Sequence, residues 1–172
     1  MNLILLAGVL LQCSVAFAIP SVGDYAKYKV KVVVNGHVEF DGYETRLLKS
    51  FDPVTRTFLQ VSENGGSFIL QPAFRFVMIP YAEKRIDIED LSGEAYLKNI
   101  VSNCENDFGG TTIQYQVSDR LVPTCKQTMQ GNIGTTGMAV VPFGWVFFHY
   151  SADYGAGNHA DVDQELIEFG FH

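Results

Sequence analysis

Basic residues are scarce in this chain: 12 Lys and Arg stand against 19 Asp and Glu, giving a formal net charge of −7 over 172 residues. Nucleic-acid affinity rests largely on Lys and Arg neutralising backbone phosphates, so a nucleic-acid partner is excluded. Anionic membrane surfaces are disfavoured for the same reason. Charged residues of both signs make up only 18% of the sequence and hydrophobic ones 47%, which excludes wholesale disorder. Catalytic and cofactor motifs are also missing. There is no G-x-S-x-G elbow and no C-x-x-C pair, and no Lys-Ser/Thr follows Gly131, Gly134 and Gly137. These absences remove the hydrolase nucleophile, redox and zinc pairs, and phosphate loops, so neither an enzyme nor a cofactor is expected. No repeat, low-complexity tract or linker divides the chain, whose length suits one domain.

What is present begins with an export pattern. MNLILLAGVLLQCSVAFA carries an apolar run from Leu3 to Leu11 and small residues at Ala16 and Ala18, an A-x-A site for signal peptidase. The run is shorter than the roughly 20 apolar residues of a spanning helix. Residues 1–18 are therefore expected to be a cleaved signal peptide, and 19–172 a single β-rich domain beginning at Ile19. Gln12 stands before Cys13 where a lipoprotein signal needs a small residue, so lipidation is not expected. The mature chain has no further segment long enough to span a bilayer, and its expected location is periplasmic or extracellular. Two cysteines remain there, Cys104 and Cys125, and in an oxidising compartment they should form one disulfide.

Periodicity predicts strands along most of the mature chain. In DYAKYKVKVVV, Tyr28, Val30, Val32 and Val34 alternate with Lys27, Lys29 and Lys31, and Asn35-Gly36 then supplies a hairpin turn. The return strand places Val38 and Phe40 inward, and a bulge at Gly42 hands the alternation to Tyr43, Thr45 and Leu47. Asp52-Pro53 turns the chain into a strand over Thr57 to Val61, and Asn64-Gly65-Gly66 turns it again into Ser67 to Gln71. Prolines at 72 and 80 confine the apolar run between them to a sheet edge or a covering loop. Between Ser92 and Cys104 the residues Leu97, Ile100, Val101 and Cys104 make a helical stripe, with Asp90 or Ser92 as its cap. Thr112 to Val117, Leu121 to Met129 and Glu165 to Phe171 complete the strands. Met138 to Tyr150 has no polar-out alternation, so that strand must be covered on both sides. Its odd positions, Phe143, Trp145 and Phe147, share one face, expected on the helix-covered side. The architecture these elements satisfy is α+β: a twisted antiparallel β-sheet half-barrel with one helix across its concave face.

Candidate chemistry is thin. His37 and His149 suit exposed or core-rim positions better than catalytic ones. Asp153, Asn158, His159, Asp161 and Asp163 make an oxygen-rich stretch, but it lacks the ligand spacing and bidentate Glu of a calcium loop, so no metal is expected.

Around the cysteines the chain resembles a known group. A helix ending in NCENDFGG, then VPTCK, then VPFGWV is similar to small exported bacterial proteins in which a helix-terminal Cys before Gly-Gly is followed by a V-P-A-G-T-x-x-T-C strand. Their fold is similar to the concave half-barrel of the LolA/LolB lipoprotein-carrier superfamily. The motif here is shortened at Arg120 to Cys125, lacking the Ala-Gly step. The resemblance implies no catalysis. Two functions are open: a non-catalytic envelope protein binding an apolar ligand such as an acyl chain, lined by Phe74, Phe76, Phe143, Trp145 and Phe147, or an interaction module whose aromatics fill a core. An apolar void above about 300 Å³ would favour the first, and native packing density the second.

Overall fold

The computed structural model describes residues 20–69, 74–91 and 93–172. The export segment, Ile19 and Ser92 lie outside the described residues. Strands β1 (Tyr25–Val34), β2 (His37–Asp52), β3 (Thr57–Ile69) and β4 (Arg75–Asp87) precede helix α1 (Glu94–Ser102). After it come β5 (Thr111–Val117), β6 (Arg120–Thr128), β7 (Gly134–Ala139), β8 (Trp145–Gly155) and β9 (Asn158–Gly170). All nine strands form one antiparallel sheet in the order β4-β3-β2-β1-β9-β8-β7-β6-β5, which does not close. The class is α+β.

The first hairpin forms as its sequence dictates, with Asn35 at φ 52° and Gly36 at φ 79°, both in the left-handed region that such a turn requires. The bulge lies elsewhere than expected. Register shifts between Val32 and Val33, opposite Phe40 and Val38, and not at Gly42. From Phe40 onward the inward residues of β2 are therefore Phe40, Gly42, Glu44, Arg46 and Leu48, while Val38 and Tyr43 face solvent. Nor does Asn64-Gly65-Gly66 reverse the chain. Asn64 takes a positive φ of 56°, yet β3 runs straight through to Ile69. Edge strand β4 carries Pro80, as the proline rule for edges demands.

The apolar run from Met138 to Tyr150 is a hairpin and not one strand. Gly144 donates to the Val141 carbonyl at 2.9 Å, closing a turn over Pro142 and Phe143. Phe143 has φ 64°, the value demanded of the third residue of a type II turn and one a bulky side chain adopts only at a cost of about 1–3 kcal/mol. Its ring packs against two apolar clusters, which offsets that strain. The expectation that β8 is covered on both sides holds just past the turn, where successive residues Val146 and Phe147 are both buried.

Two ring contacts show that the sheet is curled. Phe68 of β3 lies 6.1 Å from Tyr154 of β8, although four strand spacings would separate them by about 19 Å in a flat sheet. Tyr115 of β5 lies 5.1 Å from Phe147 of β8, against about 14 Å if flat.

Helix α1 starts at Glu94 from a Gly93 cap whose carbonyl accepts the Leu97 N–H at 3.1 Å, so Asp90 is not its N-cap. Leu97 and Ile100 bury its stripe, and it packs on β6 and β7. Register from Gln127 through Thr136, Phe148 and Gln164 to Val30 places Cys125, two residues along from Gln127, on the same sheet face as Val30. Cys104 and Cys125 are bonded, pinning the end of α1 to that face. Gly110 makes this approach feasible, since a Cβ there would meet Cys104 Sγ at 2.7 Å and Cys125 Sγ at 2.9 Å. The bridge spans a sequence separation of 21 and contributes about 3 kcal/mol on the chain-entropy model. Reduction should lower the thermal midpoint by roughly 6–12 °C in scanning calorimetry, on the scaling for a chain of this size.

Candidate functional site

β1 supplies the floor of a cavity on the Val30 face of the sheet. Tyr28, Val30 and Val32 point to one face, and register sets Glu44, Gly42 and Phe40 of β2 beside them on one flank. Leu166, Gln164 and Val162 of β9 occupy the other flank. Phe68 of β3 and Phe76 of β4 are a cross-strand pair with ring centroids 5.5 Å apart, and Phe40 lies 6.2 Å from Phe76. A Cβ at Gly66 would meet the Phe76 ring at 2.0 Å, so only glycine lets that ring lie over β3. Val30, Val32, Phe40, Gly66, Phe68, Phe76 and Val162 line an open pocket of about 160 Å³, with Glu44, Arg46, Asn64 and Gln164 set among them.

The polar groups of this cup are unusual for an apolar face. Arg46 donates from Nε to Glu44 Oε1 at 2.7 Å and from Nη2 to Oε2 at 3.2 Å, a two-pronged pair whose side chains are only 24% and 12% exposed. Its guanidinium lies 5.0 Å from the centre of the Tyr28 ring, a cation–π arrangement. Burial opposes the charge on Arg46, but the Glu44 hydrogen bond and charge outweigh it, so the guanidinium pKa is raised. Burial pushes the Tyr28 phenol up to about 12, leaving it a neutral donor to the Trp145 carbonyl at 3.4 Å. Gln164 Nε2 is buried and has no hydrogen-bond partner. An unmet buried donor costs about 1–3 kcal/mol.

The five aromatic residues expected to line one site are dispersed. Phe74 and Phe76 come together around Phe68, with Phe74 stacked on it at 5.6 Å and Tyr154 4.6 Å from Phe74. Phe143 is in the β7–β8 turn, where it borders a separate crevice of only about 30 Å³ with Leu48, Leu91 and Leu97. Phe147 pairs with Glu165, and Glu165 with Lys29, so it lies on the face opposite Gln164 and Val30. Trp145 is 36% exposed, but it pairs with Met138 on the face of Cys125 and α1, so it keeps the expected face without the expected burial and does not share the face of Phe147. The cause is the turn at Pro142 to Gly144 together with a register shift between Gly137 and Met138, which breaks the shared parity of positions 143, 145 and 147. Glu44, Arg46 and Gln164 were not among the expected site residues. The signal that marks them is register: each is the cross-strand neighbour of an inward residue of β1 or lies two residues beyond one.

The oxygen-rich stretch is the β8–β9 hairpin and not a loop. Among the described residues no group of His, Cys, Asp and Glu is arranged to hold a metal ion. His159 instead bridges carboxylates, with Nδ1 2.7 Å from Asp153 and Nε2 3.1 Å from Asp161. The Asp153 and Asp161 hydrogen bonds raise its pKa. Ser151 is 3.3 Å from the same Nε2, but an imidazole favoured as the cation between two carboxylates is poorly suited to take the proton of a serine nucleophile.

Two measurements follow. Glu44→Leu should destabilise by about 2–3 kcal/mol in urea titrations, because it strands a half-buried guanidinium, whereas Glu44→Leu with Arg46→Met should recover most of the loss. His159 contributes stability that is complete below its unfolded pKa of about 6.5 and lost as pH rises through the raised folded value. The thermal midpoints of wild type and His159→Gln should therefore converge as pH rises above about 6.5, and added salt should shrink the difference. No protein-family model matches this chain and no curated protein matches it, so the chemistry of the cup carries the functional reading.

Proposed function

We propose that the protein is a non-catalytic exported binding protein that holds an apolar ligand, an acyl chain or a lipoprotein-like tail, in the cup beside β1. The observation that carries this reading is the aromatic-walled pocket of about 160 Å³ under Phe40, Phe68 and Phe76. That volume is below the void of about 300 Å³ set above as favouring a ligand, so the reading rests on the aromatic walls and the buried polar groups of the pocket and not on its size, and the pocket suits at most the end of a single chain. Phe74 and Tyr154 extend the aromatic surface beyond the pocket and would shelter the part of the ligand that emerges. In this reading the sheet is the twisted half-barrel of the LolA/LolB-like proteins that the cysteine motifs resemble. Residues 1–18 direct export to the periplasm or the extracellular space. The disulfide suits either compartment. Among the described residues no helix is long and apolar enough to cross a membrane.

A second reading, a protein-interaction module with a filled core, draws support from β4. Met78, Ile79 and Tyr81 are exposed on this edge strand, and exposed edges are where other chains pair. Calorimetric titration with 1-octanol separates the two. The cup reading expects one saturable site, and Phe76→Ala should weaken it about tenfold, in proportion to the aromatic surface it removes. Absence of saturable alkyl binding would sink the cup and leave the β4 edge as the functional surface.

A further inference from the structure

We infer that the cup selects its ligand by head group, taking a fatty carboxylate whose oxygens accept hydrogen bonds from Gln164 Nε2 and from Arg46. The inference rests on the cup reading above and adds to it the polarity of the ligand's buried end. Gln164 Nε2 can only donate, it is buried without a partner, and it lines the same pocket as Arg46. A guanidinium has five N–H donors, and Glu44 engages Nε and Nη2, so Arg46 retains donors of its own. Both Glu44 oxygens are taken up by this one partner, which leaves the acidic residue of the pocket neutralised. Among the described residues the one buried side-chain polar atom without a partner is thus a donor, beside the further donors of Arg46, while Asn64 at the exposed edge of the pocket offers both an acceptor and a donor. Around these groups, Val30, Val32, Phe40, Phe68 and Phe76 supply an apolar channel for an alkyl chain. A carboxylate at the end of a short chain meets both demands at once. An alkylammonium cannot, since it brings only further donors.

The rest of the molecule argues in the opposite direction, which makes the test sharp. With a net charge of −7, non-specific attraction favours the cation over the anion. Octanoate and octylammonium share a chain and differ in head group, and calorimetric titration of wild-type protein at pH 7 should find octanoate bound at least tenfold more tightly. Gln164→Glu keeps the side chain's size and replaces the donor with an acceptor, and it should abolish or reverse that preference. Gln164→Leu removes the unmet donor, so it should not lower the thermal midpoint while weakening octanoate about tenfold. Equal binding of the two amphiphiles, or octanoate binding indifferent to both substitutions, would overturn the head-group assignment and leave the apolar cup standing. Loss of 1-octanol binding along with both amphiphiles would instead remove the cup itself.

Discussion

β1 hydrogen-bonds β2 along one edge and β9 along the other, and that second edge makes one sheet of the first four strands and the last five. Tyr25 pairs with Gly170 at one end and Val34 with Ala160 at the other. Side chains secure both ends of the seam. Asp24 accepts the His172 N–H at 2.8 Å, and Asn35 accepts the His159 N–H at 2.7 Å while donating its own backbone N–H to the His159 carbonyl at 2.9 Å. Closing a loop over most of the chain costs only slightly more entropy than closing a short one, but the pairing must form before its contacts stabilise anything. The two hairpin arrays are local, and the seam between them is the late, cooperative step that this topology implies.

The seam also explains why the sheet has two apolar faces. The β2–β4 wing curls over the Val30 face, where Phe68 reaches Tyr154. On the other face Tyr115 of the β5–β6 wing reaches Phe147. Residues of β8 between the wings are accordingly buried on both sides, and Val146 and Phe147 follow one another without a polar residue between them. The aromatic-rich sequence of this strand thus contributes to one apolar cluster from both faces of the sheet. On the Val30 face the pocket beside Phe76 sets Glu44, Arg46 and Gln164 among apolar side chains, and so the candidate site is placed on the Phe76 wing and not on the longest aromatic run of the chain.

How far the sequence reveals this depends on how local each determinant is. The Asn35-Gly36 turn, the alternation of β1, the stripe of α1, the strand pair β5–β6 and the cysteine bridge are all set by residues close together or by simple redox chemistry, and each is legible. Helix boundaries shift by a residue or two because Gly93 caps through its backbone. The turns at Asn64 and Pro142 mislead in opposite ways. Asn64-Gly65-Gly66 has turn composition, yet cross-strand pairing with β4 carries the strand through it. Pro142-Phe143 has strand composition on one side and a left-handed phenylalanine on the other, a conformation that tertiary packing alone can hold. Of the five aromatics expected to line one site, only Phe76 lines the pocket, with Phe74 just before β4 extending its aromatic surface. The other three were grouped by a periodicity that the turn interrupts.

Glu44 and Arg46 were hidden for a deeper reason. Binary patterning assumes that charge faces water, and in β2 the alternation of Tyr43, Thr45 and Leu47 offers an apolar set that fits the rule and has the wrong face. A bulge between Val38 and Phe40, and not at Gly42, reverses the assignment of every side chain beyond Gly42, as any one-residue slip in a strand does. The polar set is then inward, where a sealed core would be as stable or more so with well-packed apolar residues in place of the ion pair. Gln164 adds an unmet donor on the adjoining strand. Costs of this kind, gathered on one wall of one cavity, are unfavourable for a packed core. On the proposed reading an amphiphile would offset them, its chain covering the phenylalanines and its head group satisfying the donors in the same event. The departures from the sequence rules and the candidate site therefore coincide on one wall, and the occupant proposed above would give them a single cause.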